Sequence, residues 1–213
     1  MTTWETFLAE IRADLGDTGT TPRFSDAKLF VFTKDAIRDY SIWFPRRLDN
    51  VELALTGSSF PLPTDFIAEI QVEYPVGTFL ERRNNRPGTR FPNSNQYLYY
   101  FIQGGNLYLS PLKNVVYLTY LATHTVPASE EDLTFVFTIP EVDMELPRLY
   151  VKAQAYIGMR TRQAALDRFK TSGARDDNPL MPETSDLMAD YHEKIAQRIP
   201  GGYISLYRPG RAV

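Results

Sequence analysis

The chain has 213 residues, no Cys, two His and a formal net charge of −3. The missing Cys excludes disulfides, thiolate metal sites and Cys nucleophiles. The slightly acidic balance argues against a general nucleic-acid binder, and no apolar run reaches the ~18 residues of a membrane span. The length fits one domain, or one domain with a large insertion, able to bury roughly 70% of its unfolded surface without staples. The 13 Tyr and 13 Phe favour strands and interfaces. Met1-Thr2-Thr3-Trp4-Glu5 lacks the basic and apolar regions of a signal peptide, so a soluble product of the cytoplasm is expected.

Trp4, Phe7, Leu8, Ile11 and Leu15 fall on one face of a predicted first helix, which Thr3 can cap. Gly16 to Phe24 reads as a loop. Ser25 with Asp26 starts a second helix whose buried stripe is Leu29, Phe30, Ala36, Ile37, Tyr40 and Phe44, and Pro45 ends it. The two are expected to pair as a helical hairpin. After Arg47 the period changes. Val51, Leu53 and Leu55 alternate with polar residues, Thr56-Gly57-Ser58-Ser59 turns the chain, and Phe60 and Leu62 continue it, which predicts a hairpin. Ile67 to Tyr74 is a further strand, and Arg82 to Asn95 a polar loop. Tyr97 to Ile102 is a strongly apolar strand. Gly104-Gly105-Asn106 signals a hairpin turn into Leu107 and Leu109, and Val115 to Leu121 is the last strand. Thr123 to Pro140 reads as a connector anchored by Phe135 and Phe137.

The third predicted helix carries two apolar stripes. One is Leu146, Tyr150, Ala153, Ile157, Ala164; beside it run Leu149, Tyr156, Met159, Leu166, Phe169. So wide a face should meet more than one neighbour. Gly173 stops it. Pro182 sits in the first turn of a fourth helix with Leu187, Met188, Tyr191, Ile195 and Ile199, which Pro200-Gly201-Gly202 ends. With no helix between the strands, a doubly wound sheet is unsuited. The predicted fold class is α+β: a four-helix domain of two N-terminal and two C-terminal helices, with an antiparallel β unit inserted between helices 2 and 3. The predicted boundaries are 1–48 and 140–199 for the discontinuous helical domain, 49–139 for the β domain with its connector, and 200–213 for a tail.

Charge is uneven. Gly173 to Glu193 holds Asp176, Asp177, Glu183, Asp186, Asp190 and Glu193 against Arg175 alone, while no acid follows Lys194. Such runs are ordinarily solvated faces. Candidates for chemistry are few. His192 beside Glu193 could be a general base, but adjacent helix residues do not face each other. His124, at a strand end, has no zinc-ligand spacing with His192. Asp176, Asp177, Asn178 and Glu183 lack the alternating ligands of a calcium loop, and Gly104-Gly105 lacks the Lys and helix of a phosphate cradle. No catalytic residue, metal or cofactor is therefore assigned. Tyr97-Leu98-Tyr99-Tyr100-Phe101 could stack bases, with Arg82, Arg83, Arg86 and Arg90 on phosphates. That is the alternative reading: a single-stranded nucleic-acid or glycan-binding module. The tail, Tyr203-Ile204-Ser205-Leu206-Tyr207-Arg208, is too short to fold alone and too apolar to be solvated, so it wants a partner.

Several motifs, in order, resemble a known family. They are Phe7-Leu8-x-x-Ile11-x-x-Asp14-Leu15-Gly16-Asp17, Phe24-Ser25-Asp26-x-x-Leu29 and Asp35-Ala36-Ile37-Arg38-Asp39-Tyr40. Then come Phe60-x-Leu62-Pro63-x-Asp65-Phe66, Ile70 with Val72-Glu73-Tyr74, Gly104-Gly105-x-Leu107-Tyr108, and Gly201-Gly202-Tyr203 after two helices. Over most of its length the chain resembles the head-to-tail adaptor (connector) proteins of tailed bacteriophages, in their longer, podophage tail tubular protein A-like form. The resemblance implies a non-enzymatic structural virion protein, made in the host cytoplasm and placed at the head–tail junction. It implies a homo-oligomeric ring, usually dodecameric, bound to the portal protein on one side and to the next tail component (nozzle, tail tube or terminator) on the other. Double-stranded DNA would pass through during genome ejection without sequence-specific binding, and no membrane is involved. A mildly acidic lumen would not stall DNA, and the stretch Asp176 to Glu193 is a candidate lining. The expected portal-binding residues are Tyr203, Ile204, Leu206, Tyr207 and Arg208, with Arg211.

Overall fold

The structure, a computed structural model, describes residues 1–83, 98–167 and 181–199, with backbone alone at 160–167 and 181–185. It is a mixed α+β fold with four α-helices and two sheets among the described residues. By its contacts the chain divides into two units: Met1–Phe44 with the chain from His124 onward, and Pro45–Thr123. The stretch His124 to Ile139, grouped with the β unit on sequence, sides with the helices because its apolar residues are used there. Phe137 and Ile139 are buried in the helical core, and the Trp4 amide donates to the Phe135 carbonyl at 2.8 Å.

The helical unit contains α1 (Trp4–Asp14), α2 (Asp26–Trp43), a 3₁₀ turn (Glu141–Asp143), α3 (Glu145–Asp167) and α4 (Met181–Arg198). The caps are local chemistry: Thr3 Oγ1 accepts from the Thr6 amide and Ser25 Oγ from the Lys28 amide. The loop between α1 and α2 closes on Asp17. Its buried carboxylate accepts the Arg23 and Phe24 amides at 2.6 and 3.2 Å and the Arg12 guanidinium at 3.1 Å. α1 and α2 touch through side chains, with the Trp4 and Phe30 rings 6.0 Å apart and Arg12 paired with Asp26, but each packs more closely on α3 than on the other. α3 is the helix that packs on α1, α2 and α4 alike, so its wide apolar arc is used on several sides. Burial extends beyond the predicted stripe to the opposite side of the helix. Leu146 and Ala153 are buried as expected, but Val151 and Ala155 are fully buried too, while Ile157 is 38% exposed. Partners on several sides bury positions that the apolar count alone does not single out.

The β unit holds β1 (Arg46–Ala54), β2 (Phe60–Pro61), β3 (Phe66–Glu73), β4 (Glu81–Arg82), β5 (Tyr99–Gln103), β6 (Asn106–Ser110) and β7 (Val115–Ala122). One sheet runs β1-β7-β3 and the other β2-β6-β5-β4. Leu53, Phe60, Val72, Tyr100, Leu107, Val116 and Leu118 belong to one shared core. The β5–β6 hairpin forms at Gly104 and Gly105, whose φ values of 58° and 75° favour glycine. The predicted turn at Thr56–Ser59 forms, with the two residues exchanging hydrogen bonds at 2.9 and 3.3 Å around Gly57 at φ 66°, but β1 and β2 part beyond it. β1 pairs instead with β7, Val51 opposite Leu118 and Leu53 opposite Val116, and β2 pairs with β6 in the other sheet. Pro61 cannot donate to a ladder, so β2 is a short edge, whereas β7 is buried along most of its length and takes partners on both sides.

Candidate functional site

The last turns of α4 immediately precede the apolar stretch 200–213 in sequence, and a set of buried and half-buried groups holds them. α4 runs antiparallel to α3, so its basic C-terminus meets the acidic start of α3 and the turn before it. Tyr191 and Ile195 are buried in the helical core, and the Tyr191 ring meets Tyr150 edge-on at 5.5 Å. The Tyr191 hydroxyl donates to Asp39 on α2. One turn on, Lys194 Nζ lies 3.0 Å from Glu145 and 3.8 Å from Asp190. One turn further, Arg198 Nε lies 3.2 Å from Asp143 Oδ1, and its Nη2 donates to the Val142 carbonyl at 3.2 Å and lies 3.6 Å from Glu145. Its Nη1 is buried with no acceptor among the described residues.

Asp143 joins two helices. While one oxygen faces Arg198 on α4, the other accepts the Tyr40 hydroxyl of α2 at 2.8 Å. Burial, reinforced by the acceptor carboxylate, raises the pKa of both Tyr40 and Tyr191 well above the ordinary phenol value, so both remain donors. Glu145 is shifted the other way: its hydrogen bond with Lys194 lowers its pKa against an opposing burial effect, with Arg198 and Arg148 adding to the fall. Acids at the start of α3 and cations at the end of α4 also suit the two helix dipoles. The arrangement acts as a clamp that ties the end of α4 to α2, to the turn before α3 and to the start of α3.

Sequence reasoning noted only that no acid follows Lys194, placed Tyr40 in the buried stripe of α2, and gave Asp39, Asp143, Glu145 and Arg198 no role here. The available signal was the acidic start of one helix and the basic end of the next, which an antiparallel pair brings together. The expected portal-binding residues Tyr203, Ile204, Leu206, Tyr207, Arg208 and Arg211 lie outside the described residues. So do Arg86, Arg90, Tyr97, Asp176, Asp177 and Asn178, and the side chain of Glu183.

The remaining candidates are placed as follows. His192 is exposed, while Glu193 accepts a hydrogen bond from Gln197 at 3.1 Å. His124 is buried. Its Nε2 meets the Phe44 carbonyl at 2.9 Å, its Nδ1 meets Thr138 Oγ1 at 3.0 Å, and its amide donates to Ser41 Oγ. Among the described residues, no group of three or more His, Asp or Glu is placed to hold a metal. On the aromatic strand, Tyr100 points into the core. Phe101 and Tyr108 stack at 4.9 Å on the other face, and Arg83 lies 4.7 Å over the Tyr99 ring. Arg82 is paired with Glu69, and Arg83 lies 3.6 Å from Glu81. No helix among the described residues is long and apolar enough to cross a membrane. No protein-family model and no curated protein sequence matches the chain.

Proposed function

We propose that this chain is a structural virion protein, a ring-forming adaptor between the capsid portal and the tail. In this reading the β unit is an insertion in a helical adaptor domain, DNA passes through the ring, and residues 200–213 dock on the portal. The observation that carries it is the clamp at the end of α4. A docking segment needs a fixed base, because ordering a free tail costs binding energy and a preorganised attachment reduces that cost. Repetition around a ring offsets the remainder by avidity. The apolar and basic tail, in a stretch free of acid from Lys194 on, follows that base directly in sequence. The same reading makes the protein non-enzymatic, so His192→Ala and Glu193→Ala leave assembly unchanged.

The test is capture from a phage-producing lysate, comparing the full chain with one ending at Ile199 and identifying retained proteins by mass spectrometry. Portal protein retained by the full chain alone supports both the role and the tail contact. Portal retained by both supports the role and overturns the docking residues. Portal retained by neither overturns the reading. The stacked Phe101–Tyr108 face favours a second reading, binding of single-stranded nucleic acid or glycan by the β unit. For nucleic acid it predicts salt-dependent binding that is lost when Arg82, Arg83 and Tyr99 are replaced. The pairing of both arginines with carboxylates weighs against it.

A further inference from the structure

The β unit ends in a stiff apolar tip. The loop after β3 is closed by the Tyr74 amide on the Thr78 carbonyl at 3.0 Å, the Thr78 amide on the Pro75 carbonyl at 2.9 Å and the Leu80 amide on the Val72 carbonyl at 2.8 Å. The buried Glu73 carboxylate accepts the Gly77 amide at 2.6 Å and a Gln71 side-chain N–H at 2.8 Å. So held, the loop presents Phe79 at 66% exposure and Val76 at 57%. The β6–β7 loop adds exposed Leu112, and Lys113, whose Nζ lies 5.4 Å over the Tyr74 ring, brings a positive charge. The nearby Glu81 is opposed by Arg83. A rigid aromatic on an otherwise satisfied loop is the anatomy of an interface anchor, since little ordering remains to be done on binding.

The helical unit carries a patch of matching character. Leu133 and Val136 are both 42% exposed on the segment that pairs with the start of α1, where the Glu5 amide donates to the Leu133 carbonyl and Thr3 bridges Val136. Acids ring them: Glu5 and Glu131 are exposed, and Asp132 is half-buried. One surface is an apolar knob with a basic flank, the other an apolar patch with an acidic rim. We infer that the knob of one copy (Phe79, Val76, Leu112, Lys113) docks on the patch of a second copy (Leu133, Val136, Glu131). Because two different surfaces meet, the contact is heterologous and propagates from copy to copy. Charge complementarity selects this pairing over knob against knob, which would oppose Lys113 to Lys113.

This names the self-association partner of the ring and rests on the adaptor reading for its biological role. The experiment is sedimentation velocity on the full chain, at concentrations up to about 1 mM, which detects even a weak contact. The wild type is expected to self-associate. Phe79→Asp and Val136→Asp each abolish association without changing the circular dichroism melt, as their exposure predicts. Mixed together, the two variants form a species of two chains and stop, because one intact knob then meets one intact patch. Lys113→Glu and Glu131→Lys each weaken association, and combined in one chain they restore it. A truncated knob, Phe79→Ala, weakens it at least roughly tenfold. A wild type that stays monomeric, variants that associate like wild type, or a mixture that stays monomeric would each overturn the inference. Portal capture without self-association removes only this contact, whereas self-association without portal capture removes only the adaptor role.

Discussion

Asp143 is the residue whose removal tests the clamp most directly. Asp143→Ala takes the acceptor from the Tyr40 hydroxyl, on a side chain only 1% exposed, and takes Arg198 Nε off its 3.2 Å partner. Leaving a buried hydroxyl without a partner costs about 1–3 kcal/mol. The ion pair is part-exposed, with side chains 19% and 28% accessible, and adds no more than about 1 kcal/mol. The expected loss is about 1–4 kcal/mol, or about 2–16 °C in melting temperature. Tyr40→Phe removes the donor instead and costs about 1 kcal/mol, because Asp143 keeps Arg198 and can be solvated. The double variant should show a coupling of at least about 0.5 kcal/mol. Hydrogen exchange by mass spectrometry localises the effect, with protection falling in the last turns of α4. The control is Glu141→Ala, whose partner is the exposed amino terminus. If Asp143→Ala costs no more than that control, Asp143 does not join α2 to α4 and the clamp argument fails.

Other expectations follow from the same geometry. Glu145 has a depressed pKa, so its contribution is fully present above the ordinary value of 4.5 and is lost as pH falls through the lower folded value. Amide protection at the end of α4 should therefore drop in acid below about pH 4.5, and Glu145→Gln should flatten that dependence. Tyr40 and Tyr191 titrate the opposite way: their stabilisation is complete below the ordinary phenol value of 10.0 and declines as the solution becomes more alkaline than that. Alkaline unfolding should accompany the appearance of tyrosinate absorbance, and Tyr191→Phe should reduce that pH dependence. Asp17→Ala leaves the Arg23 and Phe24 amides and Arg12 short of their acceptor, at an expected cost of about 3 kcal/mol in urea denaturation. A loss below about 0.5 kcal/mol would mean the loop between α1 and α2 closes without that carboxylate.

Local rules made part of this molecule readable from sequence. Thr3 and Ser25 cap α1 and α2 where hydroxyl residues precede an apolar period, and Gly104-Gly105 turns β5 into β6 because a tight hairpin needs positive φ. Those outcomes depend on neighbours a few residues away. Strand partners do not. The chain turns at Thr56–Ser59 as its residues dictate, yet β1 pairs along its length not with β2 but with β7, some sixty residues on. Loop-closure entropy rises so slowly with length that the fit of Val51, Leu53, Val116 and Leu118 in a common core outweighs proximity. That α3 buries Val151 and Ala155 as well as Leu146 and Ala153 on its opposite side, while Ile157 stays part-exposed, was likewise set by where α1, α2 and α4 lie. The amino-acid order by itself determined caps, turns, helix-forming stretches and an apolar, basic tail. Only the tertiary structure decided that Asp143 serves both Tyr40 and Arg198, because that choice depends on distances between side chains from three elements far apart in the chain.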